Sequence, residues 1–432
     1  MIVSRIMQSI WGERRQKYYK QLEFARSMSA NELYLLTKNK KMPFYSYPQT
    51  NMNLFTCGVC TYRKNNHFAG CSMCDYEDEN LIDQANMTAL REKNVNLFVQ
   101  AVVNNFINTR GERCSPNLFE LLSSYDVFSE EEFPEELFYE LFVGNTLFSK
   151  QPFCYVFETR ASSITDEKLK VLKKYLPKNS RVIIEFGVET SNEWIRNHWL
   201  NKGVCDNHIH QAIESIHCAG YRSSADVLIG LPGLLEHQSM RVFADTVFWL
   251  ENAGIDQMII LPLNRKKLTL QGAMYKYLSQ NAELLSAGIT HGEHTGVPWL
   301  TTVVCAIYFA IKQHPWLLNK INIAQIYSHQ NTVRNITSYN KDGCDCNKII
   351  IDGLSMLQNK RDYGILQSLA EYSMSGNHNC HIDYLDLIKR QGDRDIPSTL
   401  KMIIRHLTPY VLSTDNKEIE KEFDNELSQY KE

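Results

Sequence analysis

Four cysteines lie within eighteen residues near the start of the chain, as Cys57-Gly-Val-Cys60 and, ten residues later, Cys71-Ser-Met-Cys74. In a chain without a secretion signal, such paired cysteines are more typical of a metal site than of disulfides. All four thiolates could close a tetrahedral zinc site. Three of them could instead hold an iron–sulfur cluster and leave one iron open for chemistry. The cysteines alone leave both kinds of site possible.

The elements that must position these cysteines follow an alternation of short apolar segments and longer helical patterns. The predicted strands are Met52–Thr56, Leu97–Asn108, Phe153–Glu158, Arg181–Glu189, Ser224–Gly230 and Gln257–Leu263. The predicted helices between them are Asp166–Tyr175, Asp206–Ala219 and Gln238–Ala253. Strands separated by helices indicate parallel βαβ units. Six such units fit a partial barrel as well as a doubly wound sheet, and functional residues of either fold lie where strands end.

Composition sets outer limits on the function. The chain has 432 residues, 44% of them hydrophobic, and 46 basic side chains against 49 acidic ones give a net charge of −3. These values are those of a globular protein with no overall basic field that would attract nucleic acid. The N-terminus mixes charges with apolar residues, which indicates an amphipathic helix and not a signal peptide.

The uncharged run from Thr295 to Ile311 contains Pro298 and two threonines, Thr301 and Thr302. A membrane span needs about 20 apolar residues, so this run predicts a buried helix. We therefore expect a cytoplasmic protein without a membrane segment. The domain prediction is a helical N-terminal extension (1–48), an α/β core (49–272) and a helical C-terminal domain (273–432).

The segment from Leu54 to Tyr76 resembles the cluster loop of radical S-adenosylmethionine (SAM) enzymes. The likeness is most specific to the branch that is related to the Elongator catalytic subunit and the archaeosine synthase radical subunit. That branch has a widely spaced first cysteine and then C-x2-C followed by an aromatic residue, whereas the commoner C-x3-C-x2-C spacing is absent here. Motifs at predicted strand ends, over about residues 50–270, also resemble the family: Asn108-Thr-Arg-Gly111-Glu112, Phe157-Glu158-Thr-Arg160, Phe186-Gly-Val-Glu189, Asn201-Lys202-Gly203, Leu228-Ile-Gly230-Leu-Pro232-Gly233 and Leu261-Pro262-Leu-Asn264.

The resemblance implies an α/β fold, a partial (β/α)6 TIM-like barrel. It also implies a [4Fe–4S] cluster on Cys60, Cys71 and Cys74, with Cys57 as the rival first ligand, and SAM bound through its amine and carboxylate. The residues expected around the cofactor are Tyr76, Gly111, Glu112, Glu158, Glu189, Arg196, Lys202 and Asn264. Each has a structural alternative, such as a core tyrosine, a loop glycine, an ion-pair network inside the barrel or a capping asparagine.

The predicted function is therefore reductive cleavage of SAM and abstraction of hydrogen from a biosynthetic small-molecule or carrier-bound substrate. An electron donor such as flavodoxin or ferredoxin would be a partner. The first alternative is tRNA modification, for which Arg265-Lys266-Lys267 could contact phosphate unless it forms a solvated turn. An alternative of another class is a zinc-stabilised interaction protein without catalysis.

A second group of potential ligands lies late in the chain, as Cys344-Asp-Cys346 and as Cys380 flanked by His378 and His381. These side chains suit zinc or a second iron–sulfur cluster if the fold brings them together. The C-x-C spacing is unusual for structural zinc, which favours the alternative of free, partly buried thiols.

Overall fold

The computed structural model describes residues 1–46, 50–110, 119–144, 154–324, 335–376 and 378–431. Its strands are β1 (Phe44–Ser46), β2 (Thr50–Leu54), β3 (Phe119–Ser123), β4 (Cys154–Thr159), β5 (Val182–Glu189), β6 (Arg222–Ile229), β7 (Gln257–Pro262), β8 (Arg265–Lys266), β9 (Ile321–Ile323) and β10 (Asn335–Ile336). Its α-helices are α1 (Ile2–Ile10), α2 (Gly12–Ser27), α3 (Ala30–Thr37), α4 (Thr61–Asn65), α5 (Leu81–Lys93), α6 (Val95–Arg110), α7 (Glu135–Tyr139), α8 (Asp166–Tyr175), α9 (Asp206–Cys218), α10 (Glu236–Asn252), α11 (Leu270–Leu278), α12 (Ala282–Ser286), α13 (Leu300–Ile311), α14 (Cys346–Lys360), α15 (Tyr363–Met374), α16 (Cys380–Gln391), α17 (Ile396–Val411) and α18 (Asn416–Leu427).

One sheet runs through the core in the order β1-β2-β3-β4-β5-β6-β7-β9. β1 is antiparallel to β2, and every other neighbouring pair in this sheet is parallel. Neighbours follow chain order without a reversal, whereas a doubly wound sheet reverses its order at a switch point. The sheet curls into a half-barrel, and helices lie at both ends of the chain. The predicted fold class is therefore confirmed.

The two faces of the sheet carry different side chains, because successive residues of a strand point to opposite faces. On the outer face, residues such as Ile184 and Phe186 belong to the main core with the surrounding helices. On the concave face, a separate apolar cluster lies at the beginning of the strands and contains Leu121, Cys154, Val156 and Ile183. These side chains close the floor of the half-barrel, so its polar groups lie toward the carboxyl ends of the strands.

The predicted strand Leu97–Asn108 is wrong, because this segment lies within α6. Its buried residues recur at helical spacing, among them Phe98, Val102 and Phe106. The strand that occupies the second parallel position is β3, which sequence reasoning missed. The glycine-rich motif that begins at Asn108 therefore does not follow the second strand, as the resemblance implied, but begins in the helix before it.

The terminal helices pack against each other beside the half-barrel. α1 buries Ile2, Val3, Ile6 and Met7, and the backbone amide of Ile2 donates to Glu426 at 2.9 Å. The uncharged run forms α13, most of whose residues are buried, as predicted. Among the described helices, none combines the length and the apolar character that crossing a membrane requires.

Candidate functional site

The cysteine loop that follows β2 is folded around the buried side chain of Arg63. Its Nε donates to Glu77 at 2.9 Å, Nη1 donates to the carbonyl of Ala69 at 3.0 Å, and Nη2 donates to the carbonyl of Cys74 at 2.7 Å. The side chains of Arg63 and Glu77 are each only 1% exposed. Since a planar guanidinium donates in fixed directions, these three contacts determine the path of the loop. The first helical turn after Cys60 is thereby joined to the segment that carries Cys74.

The second half of the loop is attached to segments that follow other strands. The amide of Ser72 donates to the carbonyl of Leu200 at 2.8 Å, and its hydroxyl donates to the carbonyl of Trp199 at 2.9 Å. The side-chain amide of Asn201 donates to the carbonyl of Gly70 at 2.6 Å. The amide of Leu270, at the start of α11, donates to the carbonyl of Ser72 at 2.7 Å. Cys71 and Cys74 are therefore held at the carboxyl end of the sheet.

The thiols of Cys60 and Cys71 share a cationic neighbour, Arg160, at the end of β4. Its Nη1 lies 3.9 Å from the Sγ of Cys71, and its guanidinium lies 4.0 Å from the ring centroid of Tyr62. Burial raises the pKa of the Cys60 thiol well above its usual value, and Arg160 opposes that shift. A cation beside two thiols suits a site that holds them as thiolates.

Cys74 lies in the same group of charges. Burial, and after it the charge of Glu77, raise the pKa of its thiol to about 12 against the opposing charges of Lys266 and Arg63. Cys71 also acts on this thiol, which places the two sulfurs within electrostatic reach of each other. Loading of a metal or cluster requires thiolates, so it would release protons and weaken as the pH falls.

Cys57 differs from the other three cysteines in its exposure. It is buried, whereas Cys60, Cys71 and Cys74 are partly exposed. Burial raises the pKa of its thiol, and the charged groups that act on it are Glu132 and Arg91. Arg160 is not among them. Glu132 thus acts on the thiols of both Cys57 and Cys60, and Arg160 acts on Cys60 and also lies beside Cys71.

Next to these cysteines, a buried ion pair joins the end of β5 to the following loop. The Nζ of Lys202 lies 2.6 Å from Oε1 of Glu189, and the carbonyl of Lys202 accepts a hydrogen bond from Arg160. Lys202 also lies within electrostatic reach of Cys71. The two predicted residues Glu189 and Lys202 are therefore brought together beside the cysteine loop.

Three further carboxyl groups line the concave face. Glu158 and Glu185 are neighbours in the register of β4 and β5, and Asp226 lies on β6 opposite Gly187. Burial raises the pKa of Glu158, and it raises the pKa of Glu185 to about 8, with Glu158 adding to the shift. Burial also raises the pKa of Asp226, and Glu185 is the next largest cause. These groups give the concave face of the half-barrel polar side chains that can hold protons or accept hydrogen bonds.

Two further residues predicted to contact the cofactor, Tyr76 and Asn264, lie near the segments that hold the cysteine loop. Tyr76 is 60% exposed, and the Nζ of Lys266 lies 3.3 Å from its ring centroid. Asn264 follows β7 and its carbonyl accepts from Gln271 at 2.9 Å. Both residues lie at the carboxyl end of the sheet, near the segments that hold the cysteine loop. Gly111 and Glu112 lie outside the described residues.

Arg196 has a structural environment. Its buried guanidinium donates to the carbonyls of Thr190, Ser191 and Val204 at 2.9, 2.9 and 3.1 Å, and to the carboxylate of Asp206 at 2.8 Å. These contacts shape the loop between β5 and α9, and they leave too few free N–H donors for a cofactor carboxylate to bind in a bidentate way. We therefore leave Arg196 out of the site proposed for the cofactor.

Sequence reasoning missed Arg63, Glu185 and Asp226. Arg63 follows Cys60 by three residues, and nothing in its spacing indicates that the loop folds around it. The two acids left a detectable signal, because each interrupts an apolar strand at a position that faces the concave side. A carboxyl group placed in this way is costly to bury without a function or a partner.

Comparisons with known proteins found likenesses to one protein sequence and to several solved structures. No family model matches the chain. An uncharacterized protein of Methanocaldococcus jannaschii is 28% identical over 155 residues, which are 36% of this chain and 39% of that protein. The other likenesses are to solved structures.

The first structure is the radical S-adenosylmethionine methyltransferase TsrM of Kitasatospora setae with cobalamin and a [4Fe–4S] cluster bound. Its sequence identity to this chain is 14% and the TM-score is 0.34. The match covers 51% of this chain and 38% of that one. The second is Elp3 of Methanocaldococcus infernus, with 12% identity, 56% and 54% coverage and a TM-score of 0.38. The third is coproporphyrinogen III oxidase (HemN) of Escherichia coli, a radical SAM enzyme, with 10% identity, 55% and 46% coverage and a TM-score of 0.33. The chain thus spans between 38% and 54% of the length of these four proteins.

Proposed function

We propose that this chain is a radical SAM enzyme that abstracts hydrogen from a small-molecule or carrier-bound substrate held in the half-barrel. Cys60, Cys71 and Cys74 would hold a [4Fe–4S] cluster. Such a cluster, when reduced by a donor such as flavodoxin or ferredoxin, supplies the electron that cleaves SAM to a 5′-deoxyadenosyl radical. The observation that carries the proposal is the single loop that presents these three partly exposed cysteines at the carboxyl end of a parallel half-barrel.

The arrangement of the four N-terminal cysteines does not fit a single zinc ion bound by all of them. Four ligands at about 2.3 Å from one zinc ion lie within about 4 Å of one another. Among the described residues, the group of ligand atoms that lie within 4.8 Å of one another is Cys344, Cys346, His378 and Cys380. The N-terminal cysteines do not meet that distance as a group. In a cluster each thiolate binds a different iron, which suits sulfurs that are farther apart.

The chain's own residues would bind and orient SAM. Arg160 and Lys202 place positive charge beside Cys71, where it offsets the negative charge of thiolates and attracts a carboxylate. Glu189 is held by Lys202 and could accept a hydrogen bond from an ammonium or hydroxyl group. Tyr76 offers an aromatic face at the rim, as the proposed neighbour of the adenine.

The interior favours a small or carrier-bound substrate over RNA. Glu158, Glu185 and Asp226 line the concave face, and none of them offers a positive charge to a phosphate. Arg265 and Lys266, which could have contacted a phosphate backbone, are only 8% and 6% exposed. The guanidinium of Arg265 lies 3.6 Å from the ring centroid of Tyr275. The basic triplet therefore offers only Lys267 to a phosphate.

Two variants in the same loop test the proposal. Protein purified without oxygen should be brown, with absorbance near ~400 nm, and should release 5′-deoxyadenosine from SAM when dithionite is added. Cys60→Ala should lose the iron and this activity, because one of three ligands is missing. Cys57→Ala is the matched control and should keep both.

The results that would contradict the proposal are equally specific. Colourless protein whose N-terminal cysteines bind zinc would indicate the interaction protein instead. If Cys57→Ala loses iron and Cys60→Ala retains it, the first cluster ligand is Cys57 and not Cys60. Salt-dependent binding of bulk tRNA would favour the RNA substrate over the small molecule.

A further inference from the structure

A second cysteine group lies far along the chain, where two helices begin close together. Cys346 is the first residue of α14 and Cys380 is the first residue of α16. Cys344 precedes the first helix by two residues, and His378 precedes Cys380 by two. The chain thus supplies a C-x-C and an H-x-C pair from two helix starts, which the fold places side by side.

The ligand atoms of these four residues converge on one point. The Sγ of Cys380 lies 3.3 Å from the Sγ of Cys346 and 3.7 Å from the Sγ of Cys344. The Nδ1 of His378 lies 3.0 Å from the Sγ of Cys380. All four ligand atoms lie within 4.8 Å of one another, and Cys346 and Cys380 are each 1% exposed.

We propose that Cys344, Cys346, His378 and Cys380 bind a single zinc ion in a closed structural site. Tetrahedral ligands at about 2.3 Å for sulfur and about 2.0 Å for nitrogen lie roughly 3.5–3.8 Å apart, close to the separations observed. Thiolate and imidazole ligands in a tetrahedron select zinc over harder cations such as magnesium. Four protein ligands leave no open position, so the site stabilises structure and does not catalyse.

The observed separations distinguish this site from two alternatives. A second [4Fe–4S] cluster needs its sulfurs farther apart, because each binds a different iron. A disulfide needs two sulfurs at about 2.05 Å, and it would leave Cys344 and His378 directed at the same point without a function. The four-ligand convergence is accounted for by one ion.

The surroundings of the site indicate what the ion would stabilise. The side-chain amide of Asn340 donates to the Sγ of Cys346 at 3.4 Å, and its Oδ1 accepts from the amide of Thr301 in α13 at 2.9 Å. On α16, the hydroxyl of Tyr384 lies 3.0 Å from the hydroxyl of Thr302. The zinc ion would therefore fix the starts of α14 and α16 to each other and to α13, beside the half-barrel.

Elemental analysis of the full-length protein tests the site independently of the proposed cluster. We expect about one zinc ion per chain in addition to iron, and Cys346→Ser should lose the zinc while the iron remains. Cys60→Ala should show the opposite pattern. His381→Ala is the matched control for His378→Ala, because its ring lies next to that of His378 but outside the converging group. His378→Ala should lower the zinc affinity at least tenfold, and His381→Ala should leave it unchanged.

A spectroscopic measurement tests the site even if the variants of its ligands fail to fold, because it uses protein in which all four ligands are intact. Full-length Cys60→Ala protein, stripped of zinc and loaded with Co²⁺, should show the visible bands of tetrahedral cobalt together with thiolate-to-cobalt charge transfer. Three results would each overturn the proposal. The first is a cobalt spectrum with octahedral bands, and the second is a Cys346–Cys380 disulfide found by peptide mapping. The third is zinc that stays bound in His378→Ala but is lost in His381→Ala. Loss of iron in wild-type protein with zinc retained would refute the cluster and leave this site standing.

Discussion

The Nζ of Lys202 lies 2.6 Å from Oε1 of Glu189, and these side chains are only 9% and 6% exposed. Glu189 holds this position with a φ of +69°, a backbone conformation that is unusual for a residue with a side chain. Gly187 provides the room, since a Cβ there would lie 2.3 Å from that Nζ. The unusual backbone conformation of Glu189, the buried amine of Lys202 and the room left by Gly187 occur together beside the end of β5. Backbone strain of this kind is typical of a functional site.

Lys202→Met should destabilise the protein by about 3–5 kcal/mol, because it leaves the carboxylate of Glu189 buried without a partner. The double variant Lys202→Met/Glu189→Gln should recover part of that loss, since no uncompensated charge remains. Thermal unfolding followed by circular dichroism at a fixed scan rate measures both. An unchanged melting temperature in Lys202→Met, or a double variant less stable than the single one, would show that the pair is not buried as described.

Gly70→Ala should prevent the cysteine loop from folding. Gly70 has a φ of +61°, and a Cβ there would lie 2.5 Å from Cζ of Arg63, whose guanidinium holds the loop. We expect at least a severalfold loss of bound iron and a lower melting temperature. Gly12→Ala is the control, because a Cβ at Gly12 meets nothing within 4 Å and alanine favours the helix that begins there. Equal iron contents in the two variants would contradict this account of the loop.

Sequence patterns located most of the parallel sheet because apolar runs bounded by turn residues are what buried strands require. β3 escaped detection because Glu120 interrupts it. In the structure, this carboxylate accepts from the side-chain amides of Asn51 and Asn53 on β2, at 2.7 and 3.0 Å. Hydrogen bonds between neighbouring strands thus stabilise the buried carboxylate. They depend on which strands become neighbours, and a local sequence pattern does not show that. The dense apolar residues of α6 suggested a strand for the same local reason.

Candidate site residues could be predicted where the chemistry of a site requires a fixed spacing between them. They could not be predicted where a residue's role depends on its contacts in the folded chain. Spacing and the family resemblance together drew attention to Cys71 and Cys74, and motifs that resemble the family drew attention to Glu189 and Lys202; the binding of a cluster or cofactor by these residues stays a prediction. Arg196 was expected to bind a carboxylate, yet its donors are taken by carbonyls of its own loop and by Asp206. A buried guanidinium looks the same in sequence whether its acceptors come from a ligand or from the backbone.

The buried carboxyl group of Glu236 should make the stability of the protein depend on pH. Burial raises its pKa from 4.5 to about 7, while the hydroxyl of Thr302, its hydrogen-bond partner, opposes the shift. Between these values the folded state keeps a proton that the unfolded state releases. The stability that this group contributes is therefore fully present below pH 4.5 and is lost as the pH rises through about 7.

Glu236→Gln isolates that contribution, because the amide has the same shape and does not titrate. The free energy of unfolding of the wild type relative to Glu236→Gln should fall by roughly 3 kcal/mol at most as the pH is raised from about 5 to about 8, and the difference between their melting temperatures should fall with it. Glu214→Gln, on the exposed side of α9, serves as the matched control and should track the wild type at every pH. A difference between wild type and Glu236→Gln that stays constant or grows with pH would mean that the Glu236 carboxyl group ionises freely in the folded protein, and that burial does not keep it protonated.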